Sequence, residues 1–249
     1  VNVFSDEKTK NKQWYKVASK ATPSVFLSPE QIQLLLHHCS VSWLRLAIEL
    51  SFVCTLRRGE LLALTWDDIN WEQNSLQISK TLCRVSKDAM LMLEGRDVLH
   101  VFPTKAHSKT VLVLKSPKTE SSNRIIYLPP SLKCSLLEWQ NEQKKSTIGE
   151  LPRLIFAYED NWPLQSGVLT KHFQGLLTKC NLPKVTFHSL RHSSITYKLV
   201  LTGGDIKAVQ GNSGHSQADM ITEIYGHILD ANRQRIYNCM DHRLIVTAI

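Results

Sequence analysis

The chain has 249 residues, 43% of them hydrophobic, enough for one large domain with a buried core or for one domain plus a small appendage. Lys and Arg total 30 against 22 Asp and Glu, and the formal net charge of +8 suits a polyanionic partner. Six scattered cysteines (Cys39, Cys54, Cys83, Cys134, Cys180 and Cys239) form no CxxC pair, and no apolar run reaches about 18 residues, which argues against a zinc ribbon, a secreted disulfide framework and a membrane span and leaves a soluble protein of a reducing cytoplasm as the expectation.

The positive charge is concentrated. Residues 1–25 hold five Lys against two acids, and residues 80–124 hold nine Lys or Arg against four acids, so these two segments carry the whole excess. Residues 1–25 lack an apolar period and end in Thr22-Pro23-Ser24, which reads as a basic linker or arm. Ser28-Pro29-Glu30-Gln31 then opens a helix, with Ser28 at the N-cap, Pro29 at the first helical position and Gln31 able to reach back as in a capping box. A second helix is expected from about Trp43 to Val53.

Thr55-Leu56-Arg57-Arg58-Gly59-Glu60 leads into an apolar helix. Two adjacent arginines entering such a helix are unusual, because an unpaired guanidinium is costly to desolvate. Either both are surface charges or Arg57 pairs with Glu60. Trp66–Trp71 closes the helix, and Ser75–Thr81 alternates as a strand. Residues 83–116 read as a basic, β-rich insertion with apolar runs at Val98–Phe102 and Thr110–Leu114. Lys115–Pro129 is a turn followed by a strand. Pro130–Lys145 reads as an amphipathic helix, Leu154–Phe156 as a short strand and Leu164–Cys180 as another helix.

The C-terminal quarter holds the densest chemistry: His188-Ser189-Leu190-Arg191-His192, then Ser213-Gly214-His215, then Ile224-Tyr225-Gly226-His227. Helices are expected at Met220–His227 and Leu229–Met240, with an apolar tail at Leu244-Ile245-Val246. An Arg fork binds two phosphate oxygens and His can donate to a third. A Tyr hydroxyl beside such cations can attack phosphorus, since they favour its phenolate form. The competing readings are weaker. His188 and His192 stand at i, i+4, but Ser189 replaces the Glu of a zinc-protease helix and Arg191 would set a cation against the metal. Ser193 and Ser194 lack a GxSxG elbow.

His188-x-x-Arg191, Gly214-His215 and Tyr225 ten positions on resemble the active site of the tyrosine recombinases, the phage-integrase family. The family also has an Arg three residues before a Glu, which Arg57 and Glu60 match, and a hairpin Lys before Thr or Ser, which Lys118 matches with Lys115 as runner-up. It usually has Gly where Thr55 stands and Leu where Ser213 stands. The resemblance implies a mixed α/β (α+β) fold, mainly helical, with a small antiparallel sheet. It divides the chain into a linker at 1–25, following a helical core-binding domain outside these 249 residues, and a catalytic domain at 26–249. The catalytic domain would include the insertion at 83–116 and a C-terminal helix and tail at 229–249.

The resemblance further implies that Tyr225 attacks a DNA phosphate, giving a 3′-phosphotyrosyl link. Arg57, Arg191 and His215 would hold the non-bridging oxygens, Lys118 would protonate the leaving 5′-oxygen, and His188 would assist proton removal from Tyr225. No metal and no cofactor are implied. The implied partners are double-stranded DNA, a homotetramer assembled on it (through the tail), and accessory DNA-bending or excision factors, all in the bacterial cytoplasm or nucleoid. The long basic insertion points to integration and excision of a mobile element. A type IB topoisomerase shares much of the site, and a non-catalytic DNA-binding relative is the third reading.

Overall fold

The computed structural model describes residues 26–92, 95–102, 108–117, 122–146 and 153–214. The linker at 1–25, Lys118, His215, Tyr225, the helices expected at 220–227 and 229–240, and the tail lie outside the described residues.

Ser28 opens the first helix as its residues require. Its hydroxyl accepts from the Gln31 N–H, and the Gln31 side chain accepts from the Ser28 N–H, leaving Pro29 where no donor is needed. This helix, α1 (Pro29–His38), is followed by α2 (Ser42–Val53), which buries Leu44, Leu46, Ala47, Ile48 and Leu50 and so runs through the core. A short α3 (Arg58–Ala63) comes next, then a 3-10 turn at Trp66–Asp68 in which Asp68 accepts from both the N–H and the hydroxyl of Thr65.

Among the described residues, six strands form two antiparallel sheets. In the first, β1 (Ile69–Asn70), β2 (Ser75–Ile78) and β6 (Arg124–Tyr127) are ordered β1-β2-β6, with Ile78 opposite Arg124. In the second, β3 (Thr81–Ser86), β4 (Val98–Phe102) and β5 (Thr110–Lys115) are ordered β3-β5-β4. The strand expected over Ser75–Thr81 is therefore broken after Ile78. Lys80 turns out of it to an ion pair with Asp68 at 2.8 Å and a bond to Thr65 Oγ1 at 2.9 Å, and Thr81 begins the second sheet. Within the segment expected as a β-rich insertion, a helix α4 (Lys87–Met92) separates β3 from β4.

The remaining described elements are α5 (Pro130–Ser146), α6 (Ser166–Lys179), α7 (Ser189–Leu201) and α8 (Ile206–Ser213). The short strand expected over Leu154–Phe156 is not formed: Leu154 makes a single bridge to Thr65, Ile155 and Phe156 are bends, and a second single bridge joins Ala157 to Pro163. Side chains of α5 replace the missing ladder there: Trp139 Nε1 and Gln143 Nε2 both donate to the Ile155 carbonyl, at 2.7 and 3.0 Å. One continuous core runs from Leu27 through Leu35, Ile48, Leu61, Leu76 and Phe173 to Leu190, and Ile195, Leu199 and Val209 form a small second cluster under α7 and α8. Gly59 lets α3 lie against β3, since a Cβ there would come within 2.5 Å of Thr81 Oγ1. Among the described residues no helix is long and apolar enough to cross a membrane.

Candidate active site

Arg57 is the N-cap of α3 and has extended backbone. Its N–H donates to Glu60 Oε2 at 2.9 Å, and its guanidinium donates through Nη1 to Glu60 Oε1 at 2.7 Å and through Nη2 to the Gly214 carbonyl at 3.0 Å. Both sequence alternatives are thus partly realised. Arg57 pairs with Glu60, yet its side chain is still 37% exposed.

Arg191 lies on α7 and is only 2% exposed. Its Nη1 donates to the Thr55 carbonyl and its Nη2 to the Ser213 carbonyl, the latter at 2.7 Å. Thr55 has φ +55°, the left-handed region that L residues enter at a cost of about 1–2 kcal/mol. That geometry accounts for the glycine usually found at this place. Thr55 holds it through its hydroxyl, which meets Ser194 Oγ at 2.7 Å and accepts from Lys198 Nζ at 2.7 Å. Lys198 also donates to the Val53 carbonyl at 2.8 Å, and burial pushes its pKa down to about 8.

Arg124 opens β6 and is 8% exposed. Its Nη2 meets Glu60 Oε2 at 2.9 Å, and its Nε donates to the Asn212 carbonyl at 3.0 Å. Consecutive carbonyls of residues 212, 213 and 214 thus accept from Arg124, Arg191 and Arg57, which come from three separate elements. These are carbonyls at the C-terminal end of α8, where unpaired acceptors and the negative end of the helix dipole favour cations. Gly214 closes the helix with φ +65°, its N–H returning to the Gln210 carbonyl.

Glu60 sits between two of these arginines and is 5% exposed. Burial alone would raise its pKa. The hydrogen bonds and charge of Arg124, with those of Arg57, outweigh burial and hold the carboxyl below its ordinary value.

His188 is the N-cap residue of α7, and its ring meets that of His192 edge-on, with centroids 4.9 Å apart. The residue as a whole is exposed, but part of its ring is covered. That partial burial, then the charges of His192, Arg191, Arg57 and Arg58, push its pKa down to about 4. His188 is therefore neutral at pH 7 and able to accept a proton. His192 is also lowered, first by burial and then by Arg191. Among the described residues, no group of three or more His, Cys, Asp or Glu could hold a metal ion.

Of the six expected site residues, Arg57, His188 and Arg191 are brought to one place. Lys118, His215 and Tyr225 lie outside the described residues. Sequence reasoning placed Arg124 at the head of the strand after the hairpin Lys but gave it no role, and it missed Lys198. The signal for Arg124 was present, a lone Arg beginning an alternating strand whose inward positions are otherwise apolar.

The comparisons with known proteins point one way. The chain is 27% identical over 188 residues to the tyrosine recombinase XerC-like protein of Caldanaerobacter subterraneus subsp. tengcongensis, covering 72% of this chain and 44% of that protein. It is 24% identical over 200 residues to the ICEBs1 integrase of Bacillus subtilis, covering 78% of this chain and 47% of that one. The chain thus spans about half the length of these relatives. Among solved structures, the Tn1549 transposon integrase in complex with transposon right-end DNA superposes with a TM-score of 0.67 at 22% identity, covering 91% of this chain and 68% of that one, and so shares the fold. The phage integrase family model runs over residues 25–232, from the last residue before the described core to beyond Tyr225, and the chain belongs to that family.

Proposed function

We propose that this chain is the catalytic portion of a site-specific recombinase that cuts and rejoins double-stranded DNA for integration and excision of a mobile element. The observation that carries the reading is the convergence of Arg57 and Arg191 on the carbonyls of Gly214 and Ser213, which immediately precede His215 in sequence. A scissile phosphate placed there meets two fixed guanidinia. Tyr225 Oη attacks phosphorus, its proton passing to His188. The P–O5′ bond breaks, and the leaving 5′-oxygen takes a proton from Lys118. The product is a 3′-phosphotyrosyl ester, which conserves the energy of the broken strand, so rejoining by a 5′-hydroxyl needs no nucleotide.

The mobile-element assignment is supported by the likeness to the ICEBs1 and Tn1549 integrases. In this reading residues 1–25 link a core-binding module to a catalytic domain at 26–249, the segment at 83–116 faces DNA, and four protomers assemble on two DNA sites through the segment at 229–249. Accessory DNA-bending factors and a cytoplasmic location follow from the same reading. The family match supports this over topoisomerase-type relaxation and over a decayed DNA-binding relative.

A nicked suicide duplex carrying the element's end tests it. The wild-type chain yields a denaturation-resistant protein–DNA band, and Tyr225→Phe yields none. A band that persists in Tyr225→Phe, or no band from wild type on a duplex it binds and with a core-binding module joined, overturns the reading.

A further inference from the structure

The buried Arg124 is not among the six residues that carry the chemistry, yet it reaches three parts of the site. Its Nη2 and Nη1 meet the Glu60 carboxylate at 2.9 and 3.3 Å, and that carboxylate in turn holds Arg57 at 2.7 Å. Its Nη1 also donates at 3.1 Å to the carbonyl of Ser122, four residues after Lys118 in sequence. Its Nε donates at 3.0 Å to the carbonyl of Asn212, three residues before His215. The contact with α8 is tight, because a Cβ on Gly214 would come within 2.8 Å of Arg124 Nη1.

A guanidinium suits this place where an ammonium does not. It is planar, presents five N–H groups in a fixed fork, and stays charged when buried. Here that fork is divided among one carboxylate and two backbone carbonyls belonging to different segments. We propose that Arg124 is a positioning residue whose single buried guanidinium holds in register three pieces of backbone: the start of α3 with Arg57, the approach to β6 at Ser122 and the C-terminal end of α8 at Asn212. This inference rests on the recombinase reading for its catalytic consequence, but not for its structural one. Arg124 touches no reacting atom. It acts by fixing where the cations stand around the phosphate, and small misplacements of such groups are expensive in rate.

Arg124→Lys and Arg124→Met decide it. Lys keeps a cation beside Glu60 but cannot serve Ser122 and Asn212 at once. On a suicide duplex at saturating protein, the covalent cleavage rate falls by about 100-fold in Arg124→Met and at least ~10-fold in Arg124→Lys, while DNA affinity stays within about twofold. Cleavage at the wild-type rate in Arg124→Lys overturns the proposal, and so does a fall in affinity that matches the fall in rate. Hydrogen exchange on the same variants needs no catalysis. Amides of α8 and β6 exchange at least about tenfold faster, while those of α2 and α6 do not change. Unchanged α8, or acceleration that includes α2 equally, overturns it. If wild type joined to a core-binding module forms no adduct on a duplex it binds, the recombinase reading fails, and the exchange data still decide the role of Arg124.

Discussion

Arg57 and Arg191 donate to adjacent carbonyls, Arg57 to Gly214 at 3.0 Å and Arg191 to Ser213 at 2.7 Å. The two guanidinia are thereby fixed to each other by the C-terminal end of α8. Whatever displaces that end displaces both cations and the residue that follows it.

Gly214→Ala tests this dependence. The position needs φ +65°, and the added Cβ would meet Arg124 Nη1 at 2.8 Å. The left-handed conformation alone costs about 1–2 kcal/mol for an L residue, and displacing Arg124 adds to that. Urea unfolding should show a loss of about 2–3 kcal/mol. Covalent cleavage should fall further than stability accounts for at temperatures where the variant remains folded. A variant with wild-type stability would mean that α8 can move away from Arg124 freely.

Thr55 gives a second prediction, in which two terms compete. Thr55→Gly relieves backbone strain of about 1–2 kcal/mol but removes the acceptor for Lys198 and the partner of Ser194, a loss of about 1–3 kcal/mol, so the net change is small. Thr55→Val keeps the strain and loses the hydroxyl, and should be about 2–4 kcal/mol less stable than wild type. Chemical denaturation of both variants checks it. Equal stability of the Val variant and wild type would show that the hydroxyl network contributes nothing.

Much of this was legible in sequence, for identifiable reasons. The α1 capping box needs only four adjacent residues, and the apolar period of α2 is local. The Arg57–Glu60 pair lies three positions apart on one turn. Arg124 and Lys198 each have one side-chain partner far away in sequence, Glu60 and Thr55, and their other partners were not legible because they are backbone carbonyls. Asn212, Ser122 and Val53 accept through atoms every residue has, so their side chains signal nothing. The left-handed Thr55 was hidden in the same way, since its compensation comes from Ser194 and Lys198 on a distant helix. The break after Ile78 had a signal that was passed over, a Lys80 at the position where the apolar alternation would put the next inward residue.

Glu60→Gln removes the anion shared by two guanidinia, one of them on the 8%-exposed Arg124. Breaking a buried pair by removing one partner typically costs about 3–5 kcal/mol. The loss should be largest at neutral pH and should shrink in acid, where the wild-type carboxyl is itself protonated. A double variant with Arg124→Met should recover part of the loss, because no buried cation is then left unpaired. If the double variant merely adds the two single losses, the ion pair is not what couples these positions.

Acid stability separates the His188 contribution from that of Glu60. The folded chain holds His188 at a pKa of about 4 against an ordinary 6.5, so as pH falls below 6.5 the unfolded chain takes up a proton that the folded chain refuses. Stability therefore drops between pH 6.5 and 4 and then levels for this group, and His192, lowered in the same direction, adds to the slope. Glu60 is lowered from 4.5, so its contribution is intact above that pH and is lost only as pH falls further. His188→Asn should flatten the upper part of the curve and leave the lower part, while Glu60→Gln should do the reverse. Binding a phosphodiester between Arg57 and Arg191 neutralises part of the field that depresses His188. Its pKa should then rise toward the ordinary value, a shift readable by NMR titration of the imidazole with and without a short duplex. An imidazole that titrates at the same pH in both states would place the phosphate elsewhere than between these two arginines.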